Sequence, residues 1–412
     1  MRFTTKILPS RSKGLGVILL NNSKSLHALN IDMINCLQDV FQQWKVDPSL
    51  NAILIKSSSE ETKRPAFCAG GDMKSIYNQG LQYQQQQQQQ QQGKQQPTSS
   101  SSAAAAAAAL PPPEDFFYHE YKVNYDIANF NKFVPIVSLW DGLVMGGGVG
   151  ISIYGKYRIA TENTILSMPE CGIGFFPDVG SMWWMTRMLK ERPELAKYLA
   201  LTGYRMEPAD LVYTSLATHY IPSNQLEDLE AALAEATVGN KNDDNDDKGE
   251  NKGDMDVVAG VLMSFHKMIP TNHCNLKINK ETIENTFNGE TVEEIFINLK
   301  KEDNEFSRST MKTLEKMSPT SMKITLEGLK RGAECKSMAE DLQMEYRMAK
   351  ACVRPGRDFY EGIRALLVDK DLSPKWNPST LEEVTDDMIE EYFSPIDKEW
   401  SNRHQKTEPS KL

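Results

Sequence analysis

Residues 134–150 read VPIVSLWDGLVMGGGVG. The apolar run Val134–Trp140 predicts a buried strand. The run Met145-Gly146-Gly147-Gly148-Val149-Gly150 follows it and predicts the opening of a helix. Consecutive glycines there expose backbone N–H donors, and they also permit close helix–strand packing. The run lacks the G-x-G-x-x-G spacing of a dinucleotide fingerprint, and no Gly-Lys-Ser/Thr follows it to make a phosphate loop.

Outward from this unit the same alternation repeats. Leu15–Leu20 (LGVILL) and residues 51–57 (NAILIKS) predict buried strands, with the first strand beginning near Leu15. Between them Ile31, Ile34, Leu37, Val40, Phe41 and Trp44 recur at helical spacing, so residues 31–46 predict a helix with Asn30 as N-cap. A further short strand is predicted at 157–161. Strands alternating with helices give an α/β core over residues 1–222. From 223 to 400 the pattern is mainly helical, with predicted helices at 224–237, 292–301, 306–316, 321–331, 337–351 and 358–367. Residues 401–412 form a tail.

Two segments read as insertions. Residues from about 80 to 113 hold Gln84–Gln92, Ser99–Ser102 and Ala103–Ala109. So polar a tract buries little apolar surface, and a disordered loop is expected. Residues from about 239 to 254, GNKNDDNDDKGENKGD, read as an acidic linker.

Composition bounds the partners. The 412 residues are 40% apolar and 25% charged, enough to bury a sizeable core. A net charge of −10 argues against a general nucleic-acid binder. No stretch approaches the ~20 apolar residues that span a bilayer. The six cysteines, Cys36, Cys68, Cys171, Cys274, Cys335 and Cys352, form no CxxC pair and read as reduced thiols. The six histidines show no metal-ligand spacing, and no metal is expected. There is no G-x-S-x-G elbow of a serine hydrolase.

Two more motifs carry chemistry. Phe67-Cys68-Ala69-Gly70-Gly71-Asp72 precedes a short predicted helix at 73–77, and its glycine pair lets backbone amides approach a ligand. An ordinary tight turn would use the same residues. The stretch 168–180, MPECGIGFFPDVG, sets Glu170 and Asp178 among Met, Ile and Phe. Carboxylates in such surroundings have perturbed proton affinity, which suits acid/base work.

In this order the three motifs resemble the crotonase (enoyl-CoA hydratase) superfamily, and within it the 3-hydroxyisobutyryl-CoA hydrolases. The likeness includes HALN at 27–30, FFYHEY at 116–121, MEYRMAKAC at 344–352 and DFYEGIRALLVDKDLSPKW at 358–376. It implies a crotonase-like spiral of ββα units with a helical C-terminal region. It implies a CoA thioester whose carbonyl oxygen meets the backbone N–H groups of Gly71 and Gly147 in an oxyanion hole. It implies Glu170 as the main catalytic carboxylate, either activating water or attacking the carbonyl, with Asp178 assisting. Glu120 is expected at the hydroxyl end of the substrate. Hydratases of the superfamily carry a second glutamate where this chain has Gly150, so the chain departs from their pattern.

The implied reaction is hydrolysis of 3-hydroxyisobutyryl-CoA in valine breakdown. The alternatives are an enoyl-CoA hydratase or isomerase, and a non-catalytic structural subunit such as a mitochondrial ribosome component. No separate cofactor is implied, CoA being part of the substrate. Lys24, Lys330, Arg331 and Arg364 are candidates to neutralise its phosphates. Superfamily members often form homo-oligomers. The terminal Ser410-Lys411-Leu412 has the form of an address read by a peroxisomal import receptor, and the basic N-terminus keeps the mitochondrion as the alternative.

Overall fold

A computed structural model describes residues 7–12, 14–58, 64–93, 111–238 and 252–401. Among these, nine strands divide between two sheets. The larger has the order β1 (Ile7–Ser12), β2 (Leu15–Leu20), β3 (Ala52–Ser57), β5 (Ile136–Trp140), β7 (Tyr157–Ala160) and β9 (His219–Tyr220). The smaller contains β4 (Ala66–Cys68), β6 (Leu143–Met145) and β8 (Ile165–Ser167). All pairings are parallel except β1 with β2.

The chain visits the sheets alternately. It runs through β3, then β4, then helix α2 (Met73–Gly93); later through β5 and β6, then the short α4 (Gly147–Gly150). A third pass takes β7 and β8 into a single 3-10 turn at Glu170–Ile173. Two strands and a helix per pass make a spiral of ββα units.

Side-chain alternation on the strands fills both faces of the large sheet. Ile18, Ile53, Ile55 and Ile136 enter the main core, where they meet helix α1 (Ile31–Trp44) through Met33, Leu37, Val40 and Phe41. Val17, Leu54, Val137 and Ile159 face the other way, against Leu229, Leu233, Val258 and Leu262. The main core is continuous from Ile18 to Trp400. The C-terminal helices are therefore packed onto the α/β unit by the same apolar surface that builds it.

Expected elements recur with small changes. Asn30 caps α1, accepting from Met33 N–H at 3.0 Å. The predicted C-terminal helices appear at Leu226–Ala236, Val292–Glu302, Glu305–Leu314, Pro319–Glu334, Met338–Cys352 and Asp358–Ile363, the last running into a π turn at Arg364–Val368. The strand expected from Val134 begins at Ile136. The first strand is β1, not the run at Leu15; its sequence, ILPSRS, has too little apolar content to signal a strand, and pairing with β2 makes it one.

The insertion needs correction. Residues 80–93, expected as disordered loop, continue α2 through the glutamine run. Glutamine has good intrinsic helix propensity, so a nucleated helix propagates through it. Side-chain contacts hold the first half: the rings of Tyr77 and Tyr360 lie 5.9 Å apart, and Gln79 Nε2 donates to the Pro111 carbonyl at 2.8 Å. Residues 94–110 lie outside the described residues. So do 239–251 of the acidic linker, whose last residues open a helix, Lys252–Phe265. The terminal Ser410-Lys411-Leu412 also lies outside them.

Candidate active site

The small sheet brings the three sequence motifs together. Its strands are parallel, with Cys68 beside Val144 and Met145 beside Ser167. Neighbouring strands lie about 4.8 Å apart. The loops leaving their C-terminal ends carry Gly70-Gly71, Gly146-Gly147 and Glu170, so the three emerge side by side.

Gly71 and Gly147 lie against one another beside Glu120. A Cβ on Gly147 would fall 3.3 Å from Gly71 N and 2.3 Å from Glu120 Oε1. Among the described residues neither Gly71 N–H nor Gly147 N–H has a backbone acceptor. Gly146 turns the chain at φ +46°, and a Cβ there would meet Glu170 Oε1 at 2.7 Å. Only glycine satisfies both the turn and this approach.

Three buried carboxylates line the same space. Glu120 comes from α3 (Asp115–Phe130), Glu170 from the turn after β8, and Asp178 from the loop before α5 (Ser181–Met188). Among the described residues Glu120 Oε1 and Glu170 Oε2 have no hydrogen-bond partner. Asp178 Oδ2 accepts the phenolic O–H of Tyr121 at 3.0 Å. Burial and then the charge of Asp178 hold the Glu120 and Glu170 carboxyls well above the usual carboxylate range. Burial pushes Asp178 up to about 7, with the Tyr121 hydrogen bond pulling the other way. Paired donors beside a cluster of carboxyls with raised proton affinity can stabilise an oxyanion and move protons at one carbonyl carbon.

At Gly150 the space is closed. A Cβ would meet Val179 Cβ at 2.6 Å and Asn124 Nδ2 at 2.8 Å. A glutamate, as hydratases carry at this position, has no room.

Sequence reading brought Gly71, Gly147, Glu120, Glu170 and Asp178 to the site and missed Tyr121, Asn124 and Val179. Tyr121 follows Glu120 and Asn124 lies one helical turn beyond it, so α3 was the signal available. Three of the four basic candidates for CoA phosphates are already engaged with acids. Arg364 pairs with Glu361, Asp369 and Asp371; Arg331 with Glu327 and Glu390; Lys330 with Glu290. The six cysteines are free thiols. Among the described residues no group of His, Cys, Asp or Glu side chains is set to hold a metal ion, and no helix is long and apolar enough to cross a membrane.

Residues 15–393 match the family described as enoyl-CoA hydratase/isomerase. The chain belongs to that family. Its likeness to relatives is equally extensive. It is 37% identical to a protein of Rattus norvegicus named "3-hydroxyisobutyryl-CoA hydrolase, mitochondrial", over 95% of this chain and 90% of the relative. The Mus musculus protein of the same name is 38% identical, over 92% of this chain and 86% of the relative. Among solved structures, a carnitinyl-CoA dehydratase from Mycobacterium thermoresistibile superposes with a TM-score of 0.76 at 30% identity, covering 96% of this chain and 98% of that one. The fold is the crotonase fold, and within the enoyl-CoA hydratase/isomerase family the chain groups with the hydrolases.

Proposed function

We propose that the chain hydrolyses 3-hydroxyisobutyryl-CoA to 3-hydroxyisobutyrate and free CoA, the thioester-cleaving step of valine catabolism. The observation that carries the reading is the meeting of Glu170 and Asp178 with the Gly71 and Gly147 amides, while Gly150 leaves no side chain for hydration. The name shared by the relatives supplies the acyl group.

In the proposed mechanism the thioester carbonyl oxygen lies between the two amides. Water attacks the carbonyl carbon and gives its proton to the Glu170 carboxylate; the charge that develops on oxygen is held by the amides. The C–S bond then breaks, and the CoA sulfur leaves with the proton that Glu170 returns. One such donor contributes roughly 10²–10³ in rate. A carboxylate with raised proton affinity suits a base, because it draws a proton from water more readily than a solvated one. Asp178, with Tyr121, fixes the water, and Glu120 receives the substrate hydroxyl. Transient ¹⁸O labelling of Glu170 in a single turnover would assign it instead as a nucleophile forming an anhydride. The mechanism uses side chains and amides, with CoA as part of the substrate.

The test is a panel of acyl-CoA thioesters read by thiol release. The reading expects 3-hydroxyisobutyryl-CoA to be cleaved fastest and crotonyl-CoA to be neither hydrated nor cleaved. Loss of crotonyl-CoA absorbance without thiol release would overturn it.

The relatives are named mitochondrial, and that compartment is proposed here, with the peroxisome as the reading favoured by Ser410-Lys411-Leu412. Import of a tagged chain with and without those three residues separates the two.

A further inference from the structure

The carboxylate of Asp178 stands at the edge of a forced segment. Val179, a β-branched residue, lies at φ +58°, and Gly180 follows at φ +77°. L side chains seldom occupy this left-handed region, and a β-branched one does so only where its surroundings impose it. The surroundings here are three hydrogen bonds from distant parts of the chain. Tyr154 donates its phenolic O–H to the Val179 carbonyl at 2.7 Å. Glu345 accepts Gly180 N–H at 2.6 Å on Oε2 and Met182 N–H at 3.0 Å on Oε1. Both carboxylate oxygens of Glu345 are thus taken by main-chain amides, and the side chain is fully buried.

The contacts are close as well as numerous. A Cβ on Gly180 would come within 2.0 Å of the Tyr154 phenolic oxygen. The segment is therefore gripped from two sides: Tyr121 holds the Asp178 carboxylate, while Tyr154 and Glu345 hold the two residues after it. Glu345 belongs to helix Met338–Cys352 in the C-terminal region, 165 residues from Gly180. The grip ties that region to the catalytic loop. Asp341, one turn earlier on the same helix, is also buried; burial pushes its carboxyl up to about 8, with the Arg187 guanidinium pulling the other way.

We propose that Glu345 is a positioning residue for thioester cleavage: with Tyr154 it holds Val179 and Gly180 in their left-handed backbone, so that Asp178 stays against Tyr121 and beside Glu170. The inference rests on the reading that Asp178 acts in that reaction. A carboxylate serving only as an end cap for α5 would affect stability alone.

The test is steady-state kinetics of full-length variants on 3-hydroxyisobutyryl-CoA, with melting temperature measured alongside. Misplacing a catalytic group by about 1 Å costs about 10²-fold, so Glu345→Ala is expected to lower kcat by about that factor with KM within about threefold. Glu345→Gln keeps one acceptor and is expected to recover kcat to within about tenfold of the parent. Tyr154→Phe, which removes only the Val179 contact, is expected to lower kcat by about tenfold and serves if Glu345→Ala does not fold. A folded Glu345→Ala, or Tyr154→Phe, with lowered melting temperature and unchanged kcat overturns the inference. Asp178→Asn separates the two levels: if it cleaves at the parent rate, the reading of Asp178 fails; if it is slow while the Glu345 and Tyr154 variants are not, only the positioning role fails.

Discussion

Tyr121 donates its phenolic O–H to Asp178 Oδ2 at 3.0 Å, joining helix α3 to a loop 57 residues further along the chain. Both side chains are buried. The bond stabilises the ionised form of Asp178 against the burial that opposes it. It thereby limits how far burial raises the proton affinity of Asp178.

Tyr121→Phe removes that donor and should raise the proton affinity of Asp178. The rising limb of kcat/KM against pH, expected near 7 in the parent, should move to higher pH, and activity at neutral pH should fall by about tenfold. An unmoved limb would mean that Asp178 does not govern it.

The cluster also has a cost in stability, with a definite sign. Asp178 holds its proton up to about 7 in the folded chain, against an ordinary 3.8. The folded state therefore binds the proton more tightly, and stability falls as pH rises through this window. Asp178→Asn cannot ionise. Its melting temperature should exceed the parent's above about pH 7 by at least about 2 °C, and the gap should close below about pH 4. Thermal melts across this range check it.

Gly147→Ala puts a methyl 2.3 Å from Glu120 Oε1 and 3.3 Å from Gly71 N. That methyl occupies the space between the paired amides. Turnover should fall by roughly 10²–10³, the loss of one oxyanion donor. Thiol release by the purified, folded variant gives the answer.

Gly150→Glu restores the hydratase residue without restoring hydration. Its Cβ would lie 2.6 Å from Val179 Cβ and 2.8 Å from Asn124 Nδ2. The variant should lose about 1–3 kcal/mol of stability through overpacking, and crotonyl-CoA should remain unhydrated. Denaturant unfolding and absorbance of crotonyl-CoA measure the two effects.

Much of this architecture was legible in the sequence because it is local. The glycine runs, the apolar strand at Leu15–Leu20 and the helical spacing of Ile34, Leu37 and Phe41 each announce their element within a few residues. The meeting of Gly71, Gly147 and Glu170 depends on β4, β6 and β8, each three residues long. Strands so short carry no periodicity, so the resemblance of the motifs, not their spacing, indicated the site. Tyr121, Val179 and Glu345 escaped because their roles arise from contacts between separate segments, 25 to 165 residues apart. The glutamine run misled for the opposite reason: its composition suits a disordered loop, but a helix nucleated at Met73 and held by Tyr360 carries it onward.

The central claim is that Glu170, beside the Gly71 and Gly147 amides, drives cleavage of the thioester. Initial-rate thiol release from 3-hydroxyisobutyryl-CoA by the parent and by Glu170→Gln tests it most directly. The account predicts efficient release by the parent and a fall of roughly 10²–10⁴ for the variant, the contribution of a positioned base. A folded Glu170→Gln that releases thiol within a few-fold of the parent would contradict it.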